Sequence, residues 1–180
     1  VENEFGFLHN SENAHIGLIL RNFGNDPAEN VSMSLTCDSP YIEITQGTNQ
    51  LQNIASGQTV TLNNAFCFNV ADGIPDMTKV TFSFHINDGG GEKVIDVVQA
   101  VAAPLFVIKP DISFMDENQR PILQIAKEGI TDIQVQIANE GHFSSGPFLL
   151  RFGMQAPFIT VDVPSFTFNA LEKGCTNDVV

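Results

Sequence analysis

The chain has 180 residues, 43% of them hydrophobic, with 21 acidic and 8 basic side chains that give a formal net charge of −13 at pH 7. This apolar fraction is ordinary for a globular protein, and the length allows one large domain or two small ones. A surface this acidic repels phosphate backbones and anionic lipids, and no apolar stretch approaches the roughly 18 residues of a membrane-spanning helix. We therefore expect no nucleic-acid partner and no membrane span.

Three stretches in the first half alternate apolar and polar residues with a period of two, which predicts β-strands with one buried face. They are residues 14–23, with Ile16, Leu18 and Leu20 on one face; residues 29–38, with Val31, Met33, Leu35 and Cys37; and residues 79–87, with Val80, Phe82, Phe84 and Ile86. Shorter strands are expected at residues 4–9, 41–45, 58–62, 65–70 and 92–101. The glycines of residues 87–91 allow the positive φ of a tight hairpin between the last two strands. About seven short strands separated by turns predict a β-sandwich of roughly 100 residues.

The second half repeats the first at a constant offset of 117 residues, so that residues 18–44 align with residues 135–161 without a gap and Asn22 meets Asn139. The apolar positions keep their face in the second copy, where they are Ile133, Val135 and Ile137 in one segment and Phe148, Leu150, Phe152 and Met154 in the next. A slip of one residue would invert every face, so we interpret the pattern as an internal duplication. It predicts two tandem domains, residues 1–103 and 104–180.

The second copy is incomplete, because Val180 aligns with Asn63. Counterparts of the last three strands of the first copy, from about residue 64 onward, are missing. Three explanations are open: the chain is trimmed from a longer protein, a neighbouring chain completes the sheet, or the second copy closes in a smaller way. We favour the first.

The repeated segments resemble bacterial adhesion-related immunoglobulin-like modules, of the kind that follow the catalytic domain in gingipain-type cysteine peptidases. The resemblance covers most of residues 14–180 and is carried by residues 20–25, 31–35, 40–44 and 55–60 in the first copy and 137–142 and 157–161 in the second. It implies an all-β fold of two tandem immunoglobulin-like β-sandwich modules, the second truncated, in a protein that is secreted or on the cell surface. The catalytic Cys and His of such a peptidase match nothing in this chain.

No motif for nucleotide binding, zinc hydrolysis or a serine nucleophile is present. The histidines are isolated in sequence, and His15 and His85 are predicted to face outward from strands. Cys37 is expected to be a small buried hydrophobic residue, whereas Cys67 should point outward, which argues against a disulfide between them; Cys175 has no assigned role. We predict no catalytic or cofactor-binding residues and no enzymatic activity.

Loop carboxylates are the remaining candidates for a site, namely Asp72, Asp76, Asp88, Asp111, Asp116 and Glu117. Calcium requires six to eight converging oxygens, and no calcium-loop spacing is present, so calcium is kept only as an alternative and no metal ligand is predicted. Asn22 and Gly24, with Asn139 and Gly141, are interpreted as scaffold residues in which the glycine supplies a positive φ and the asparagine closes the turn.

The sequence therefore predicts a non-catalytic structural or adhesion module, acting as a spacer or an interaction surface in a larger exported bacterial protein. Its expected partners are the rest of the parent polypeptide and another protein or a glycan. The alternative is a carbohydrate- or protein-binding accessory module. A sugar-binding platform is the weaker version, because the chain has no Trp and only one Tyr, Tyr41.

Overall fold

A computed structural model describes residues 7–125 and 127–180 of the chain, and that part consists of β-strands and loops. Of the strand predicted at residues 4–9, the first three residues lie outside the described residues, and the last two form a strand. No helix in the described part is long and apolar enough to cross a membrane. The strands are β1 Leu8–His9, β2 Asn13–Arg21, β3 Ala28–Cys37, β4 Ile42–Gln46, β5 Thr48–Ile54, β6 Thr59–Val70, β7 Thr78–Asn87, β8 Glu92–Ala102, β9 Phe106–Ile108, β10 Ser113–Met115, β11 Pro121–Ile122, β12 Asp132–Asn139, β13 Phe148–Arg151, β14 Ser165–Phe168 and β15 Thr176–Val179.

The chain divides into two compact units, the first ending at Ala102 and the second beginning at Ala103. The sequence places this boundary one residue later. Each unit contains two separate sets of paired strands, and the all-β, immunoglobulin-like sandwich class predicted from the sequence is confirmed.

Unit 1 is a sandwich of a five-stranded sheet, in the order β1-β8-β7-β3-β5, and a three-stranded sheet, in the order β2-β6-β4. Aromatic rings from the two sheets meet in the core. The ring centroids of Phe66 and Phe84 are 5.9 Å apart, and those of Phe68 and Phe82 are 4.8 Å apart. Tilted pairs at these distances add about 0.5–1.5 kcal/mol each to the free energy gained from burying their area.

The alternation of buried and exposed residues follows the sequence pattern in β3 and β7. Val31, Met33 and Leu35 are 2–4% exposed, and Val80 and Phe82 are 1% and 3% exposed. Full burial of a side chain of this size stabilises the fold by about 1.5–3 kcal/mol. The expectation that Cys37 is fully buried is wrong: it is only partly buried, since it is the last residue of β3.

Two details of unit 1 differ from the sequence prediction. The strands expected at residues 58–62 and 65–70 form one continuous strand, β6, which contains a β-bulge: three residues of β6 lie between the partners of Ile16 and Leu18, against one residue of β2. Gly17 lies opposite that bulge, where a Cβ atom would lie 3.1 Å from the carbonyl oxygen of Asn63. Strand β5 was not predicted, because it is a largely polar edge strand in which only Ile54 is buried.

The predicted hairpin between β7 and β8 is confirmed. The two strands pair antiparallel from Thr78 and Val101 to Asn87 and Glu92. The connecting loop contains Gly89 at a φ of 83° and Gly91 at 132°, a region in which side chains with a Cβ atom are strained.

Unit 2 pairs β12 with β15 on one edge and with β9 and β10 on the other, while β11 extends the sheet beyond β10 and β13 pairs with β14. Its buried core consists of Val135, Ile137, Leu171 and Val179. Partly buried apolar side chains pack around these four, and they are Ile133, Phe148, Leu150, Phe152, Phe166 and Phe168. The prediction that Met154 faces inward is wrong, since 43% of it is exposed.

The two units share their strand registers at the offset of 117 residues. In unit 1, Leu18 pairs with Leu62, and in unit 2, Val135 pairs with Val179. The pairs of β3 with β5 recur in the same way between β13 and β14. At that offset, counterparts of β7 and β8 would follow Val180.

Candidate functional site

The structure places His15 directly opposite Cys67 in the pair formed by β2 and β6. Both side chains were predicted to face outward, but their spacing in sequence gave no sign that they are neighbours. The thiol of Cys67 has a long contact of 3.9 Å with Oε1 of Gln46, and no hydrogen bond in the described part of the chain fixes the imidazole of His15. A nucleophile needs a base that a third group orients, so this pair lacks the arrangement of a catalytic centre.

The other cysteines and His85 lie on separate elements. Cys37 is in the five-stranded sheet opposite Phe82, and all three cysteines are free thiols. His85 lies on β7, where Nδ1 is 3.1 Å from Glu92 Oε1 and Nε2 is 3.3 Å from Thr36 Oγ1. These are cross-strand contacts that support the sheet.

Two of the carboxylates considered for calcium, Asp72 and Asp116, accept hydrogen bonds from neighbouring loop residues. Asp72 Oδ1 accepts hydrogen bonds from Ser11 Oγ at 2.8 Å and Asn10 Nδ2 at 3.2 Å. Asp116 Oδ1 accepts from the backbone N–H groups of Asn118 and Arg120, both at 2.9 Å. Across residues 7–125 and 127–180, no three His, Cys, Asp or Glu residues are grouped so that they could hold a metal ion.

Asp88 is the loop carboxylate whose ionisation is perturbed. Its Oδ2 accepts a hydrogen bond from Lys93 Nζ at 2.8 Å, and its Oδ1 accepts one from the backbone N–H of Gly90 at 3.0 Å. The hydrogen bond from Lys93 is the main cause that lowers the pKa of Asp88, followed by the bond from Gly90. The contact anchors the β7–β8 hairpin.

Two asparagines that are equivalent at the offset of 117 residues, Asn22 and Asn139, organise the same loop in each unit. Asn139 Nδ2 donates to the carbonyl oxygens of Phe143 and Leu171, both at 2.9 Å. In unit 1, Asn22 Nδ2 donates to the carbonyl oxygens of Asp26 at 2.8 Å and Ile54 at 2.9 Å. Both Oδ1 atoms accept from the N–H of the glycine two residues later. The recurrence of one network at two sites indicates a scaffold role.

The prediction that Gly24 and Gly141 supply a positive φ in these loops is wrong. Neither Gly24 nor Gly141 has a positive φ; the left-handed residues are Gly57 and Gly174, at 71° and 75°. Gly141 is required by space, because a Cβ atom there would lie 2.3 Å from the carbonyl oxygen of Ala103.

Strand β8 presents the most prominent exposed apolar surface of unit 1. Val94, Ile95, Val97 and Val98 are 44–59% exposed. Within the described residues, β7 pairs with one edge of β8, and on the other edge β1 pairs only with Val101 and Ala102. An exposed apolar edge strand is a ready template for pairing with another chain. The sequence predicted this strand but not its exposure.

A groove of about 650 Å³ runs along β2, lined by residues 12–15 and 17–19 and by residues 61–63 of the neighbouring strand. In unit 2, strands β9 and β10 pair along the equivalent edge of β12. Among the described residues, β2 has no strand on that side. The outer edge of β2 is therefore a second open strand edge in unit 1.

Two aromatic rings stand exposed on loops. Phe23 is 83% exposed and lies under the guanidinium of Arg21, with its ring centroid 4.9 Å from the Arg21 Cζ atom, and Phe158 is 85% exposed. Sequence reasoning passed over both, although a Phe next to a turn residue is a signal of exposure. They are surfaces on which another ring or an apolar group can stack.

No protein-family model matches the chain, and no curated protein matches it. Among solved structures, the chain is similar to the YadV chaperone, with 9% identity and a TM-score of 0.31 over 96% of this chain and 80% of that chain. It is also similar to a chain of the CsuC-CsuE chaperone-tip adhesion subunit pre-assembly complex from the archaic chaperone-usher Csu pili of Acinetobacter baumannii, with 7% identity and a TM-score of 0.28 over 96% of this chain and 82% of that chain. Similarity at this level is not evidence of a shared function.

Proposed function

We propose that this chain is a non-catalytic interaction module of a larger exported bacterial protein, and that it holds or contacts other polypeptides through its strand edges. The observation that carries the proposal is the exposed apolar surface of β8, where four branched aliphatic side chains are 44–59% exposed in a chain with a net charge of −13. An exposed edge of this kind gains free energy when another strand or an apolar surface covers it.

The chemistry of the polar residues supports a non-catalytic role. Each feature that could serve a reaction is either isolated or engaged in support of the scaffold. Cys67 and His15 lie on a sheet face without an orienting group, and Asp72, Asp88 and Asp116 hold turns. We infer that the polar loops stabilise two sandwiches and that contacts with partners use apolar surface.

The expected location is outside the cell or on its surface. Support comes from the repeated Asn-x-Gly and Pro-aromatic-Ile segments, which resemble modules beside the catalytic domain of gingipain-type peptidases. On this proposal the parent protein is exported, and the present chain spaces or docks its other domains.

Catalysis is tested directly with the purified chain on peptide and ester substrates, beside the variants Cys67→Ala and His15→Ala. We expect hydrolysis no faster than in buffer for all three proteins. Turnover by the native chain that disappears in one variant would overturn the non-catalytic role and identify the nucleophile or its base.

A glycan-binding module is the second candidate, favoured by the exposed rings of Phe23 and Phe158. A glycan array with the native chain and with Phe23→Ala and Phe158→Ala separates the two functions. Reproducible binding that is lost in either variant would establish the carbohydrate role, whereas an array without hits leaves protein contact as the function.

A further inference from the structure

Three polar side chains on the outer face of the five-stranded sheet of unit 1 are joined in one hydrogen-bonded chain. Oε1 of Glu92, on β8, lies 3.1 Å from Nδ1 of His85, on β7. Nε2 of His85 lies 3.3 Å from Oγ1 of Thr36, on β3. A carboxylate, an imidazole and a hydroxyl therefore follow one another across three adjacent strands. In this order of groups, a base activates a hydroxyl nucleophile while an acid orients the base.

The carboxylate determines which nitrogen of His85 carries the proton. An ionised carboxylate only accepts hydrogen bonds, so the contact with Glu92 requires a proton on Nδ1. Nε2 of the neutral ring is then an acceptor, and the hydroxyl of Thr36 donates to it. The lone pair of Nε2 thus faces the proton that has to leave when the Thr36 oxygen forms a new bond.

The hydroxyl end of this chain of groups is open to a reagent. Thr36 is exposed, and the side chains of His85 and Glu92 are 29% and 59% exposed. The backbone around them is held in the middle of the sheet, because β7 pairs with β3 on one side and with β8 on the other. The three groups are therefore positioned by the register of the strands and not by a loop.

Two serines on the same face differ from Thr36 in their partners. Ser83 Oγ donates to Oδ1 of Asp96 at 2.7 Å, and a carboxylate is a weaker base than an imidazole. Ser34 lies opposite His85 in the ladder, but Nε2 of the imidazole contacts Thr36. The two serines are therefore internal controls for the reactivity of the Thr36 hydroxyl.

We propose that Thr36 is an acyl acceptor, which His85 activates as a general base and Glu92 positions through the imidazole. The Thr36 oxygen attacks the carbonyl carbon of an activated ester while Nε2 of His85 takes the hydroxyl proton. The bond to the leaving oxygen breaks, and that oxygen receives the proton from His85, so the products are an ester on Thr36 and an alcohol. Because the chain has a net charge of −13 and repels anions, the acyl donor is neutral or cationic.

The site takes one acyl group and does not turn over. Efficient turnover requires N–H donors for the oxyanion that forms at the carbonyl. The N–H of Leu35 donates to Gly47 at 2.9 Å, and Thr36 lies in the ladder opposite Ser83, so the sheet already uses these backbone groups. An activated ester reacts without such donors because its leaving group is good, whereas the threonine ester has a poor leaving group and persists. The inference thus goes beyond the proposed function and leaves the chain non-catalytic.

Peptide mapping by mass spectrometry tests the site after the full chain has been incubated with 4-nitrophenyl acetate. We expect Thr36 to be acetylated at least about tenfold faster than Ser34 and Ser83, since a positioned general base contributes at least that much. No acetyl group on Thr36, or equal rates at the three hydroxyls, would overturn the proposal. So would release of 4-nitrophenol that continues in the native chain but not in Thr36→Val, because it would show turnover.

His85→Asn removes the base and keeps a polar side chain at the same position of β7. It should slow the acetylation of Thr36 by at least about tenfold and leave the rates at Ser34 and Ser83 unchanged. Asp96→Ala is the matched control, since it removes a neighbouring carboxylate that does not contact His85 in the chain of groups. An unchanged rate at Thr36 in His85→Asn would overturn the role of the base. Circular dichroism checks the fold, and His85→Gln replaces His85→Asn if that variant does not fold.

Glu92→Ala tests the positioning role by removing the acceptor for Nδ1. Long-range nitrogen–proton correlation spectra should show His85 protonated at Nδ1 in the native chain and shifted toward the form protonated at Nε2 in the variant. Acetylation of Thr36 should slow in parallel, because the nitrogen that faces the hydroxyl then carries a proton. The same tautomer and the same rate in both proteins would overturn the assignment of Glu92.

Discussion

Asn139 is fully buried, and its side chain satisfies four backbone groups. In addition to its two donated bonds, its Oδ1 accepts from the N–H groups of Leu105 at 3.0 Å and Gly141 at 3.1 Å. Asn22 makes three such bonds in unit 1 and is only partly buried. Buried polar groups that lose their partners are costly, so the two equivalent residues should differ in importance.

We expect Asn139→Ala to lower the free energy of unfolding of unit 2 by about 3 kcal/mol, and Asn22→Ala to lower that of unit 1 by about 1–2 kcal/mol. Asn139→Asp should cost at least as much as Asn139→Ala, because it turns the donor toward two carbonyls into an acceptor. Urea titration followed by amide exchange in each unit measures both losses. Equal losses at the two positions would contradict the role of burial.

Asp88 provides a pH-dependent contact at the β7–β8 hairpin. Its pKa is lowered in the folded chain, so ionised Asp88 contributes stability above its unfolded pKa, and this contribution is lost as the pH falls through the lower folded value. Lys93→Met should raise the pKa of Asp88 toward the ordinary aspartate value of 3.8. A carboxyl NMR titration of both proteins checks this. An unchanged titration would mean that the bond from Gly90 is the main cause.

At the scale of elements, strand β8 is buried at its C-terminal end and exposed to solvent along most of its length. Val101 and Ala102 are 0% and 2% exposed, whereas the residues from Glu92 to Val98 are all exposed. Val94 and Val98 lie opposite His85 and Thr81, on the outer face of the sheet. Their contribution should therefore be to contacts with partners and not to folding.

The double variant Val94→Lys and Val98→Lys should change the free energy of unfolding by no more than about 0.5 kcal/mol and reduce any self-association seen by analytical ultracentrifugation. Phe82→Ala is the matched core control on the neighbouring strand and should cost about 3–5 kcal/mol. A large destabilisation by the lysines would show that the outer face of β8 is covered in the native fold.

The strands that sequence reasoning identified most directly are those whose alternation reflects one buried face, as in β3 and β7. It missed β5, because an edge strand with the sequence Thr48–Ile54 buries almost nothing and gives no alternating signal. It divided β6 at Asn63 and Asn64, because the extra residues of a bulge in β6 interrupt the alternating pattern there. Pairing of His15 with Cys67 depends on a register that only the folded sheet fixes.

At the scale of the whole chain, the two units bury their apolar residues to different extents. In unit 1, Val31 and Leu35 are nearly inaccessible, while in unit 2 the equivalent Phe148 and Phe152 are partly buried. The offset that predicted the repeat identified these residues as equivalent, but it did not predict that they are buried to different extents. It could not show how the shortened core would rearrange around four buried residues.

We expect unit 2 to unfold at lower urea concentration than unit 1. Amide exchange under native conditions should be faster in β12 and β15 than in β2 and β6, because less apolar area is buried around the same pairs. Mass spectrometry of the peptides from both units makes the comparison within one sample. Equal protection would show that unit 2 is as well packed as unit 1.

The common register of the two units also bears on how the chain reaches its native state. β15 has the pairing geometry that β2 requires, and β6 has the geometry that β12 requires, so strands can exchange between repeats while the chain folds. Divergence limits this exchange: within residues 18–44, only Asn22, Gly24, Pro40 and Ile42 recur in the second copy. Making the copies more alike, as with Val179→Leu, should therefore add a slow phase to refolding followed by circular dichroism, and an unchanged single phase would exclude such exchange. The dissimilarity between the repeats then prevents strands from exchanging during folding, so that two adjacent copies of one architecture fold as separate units.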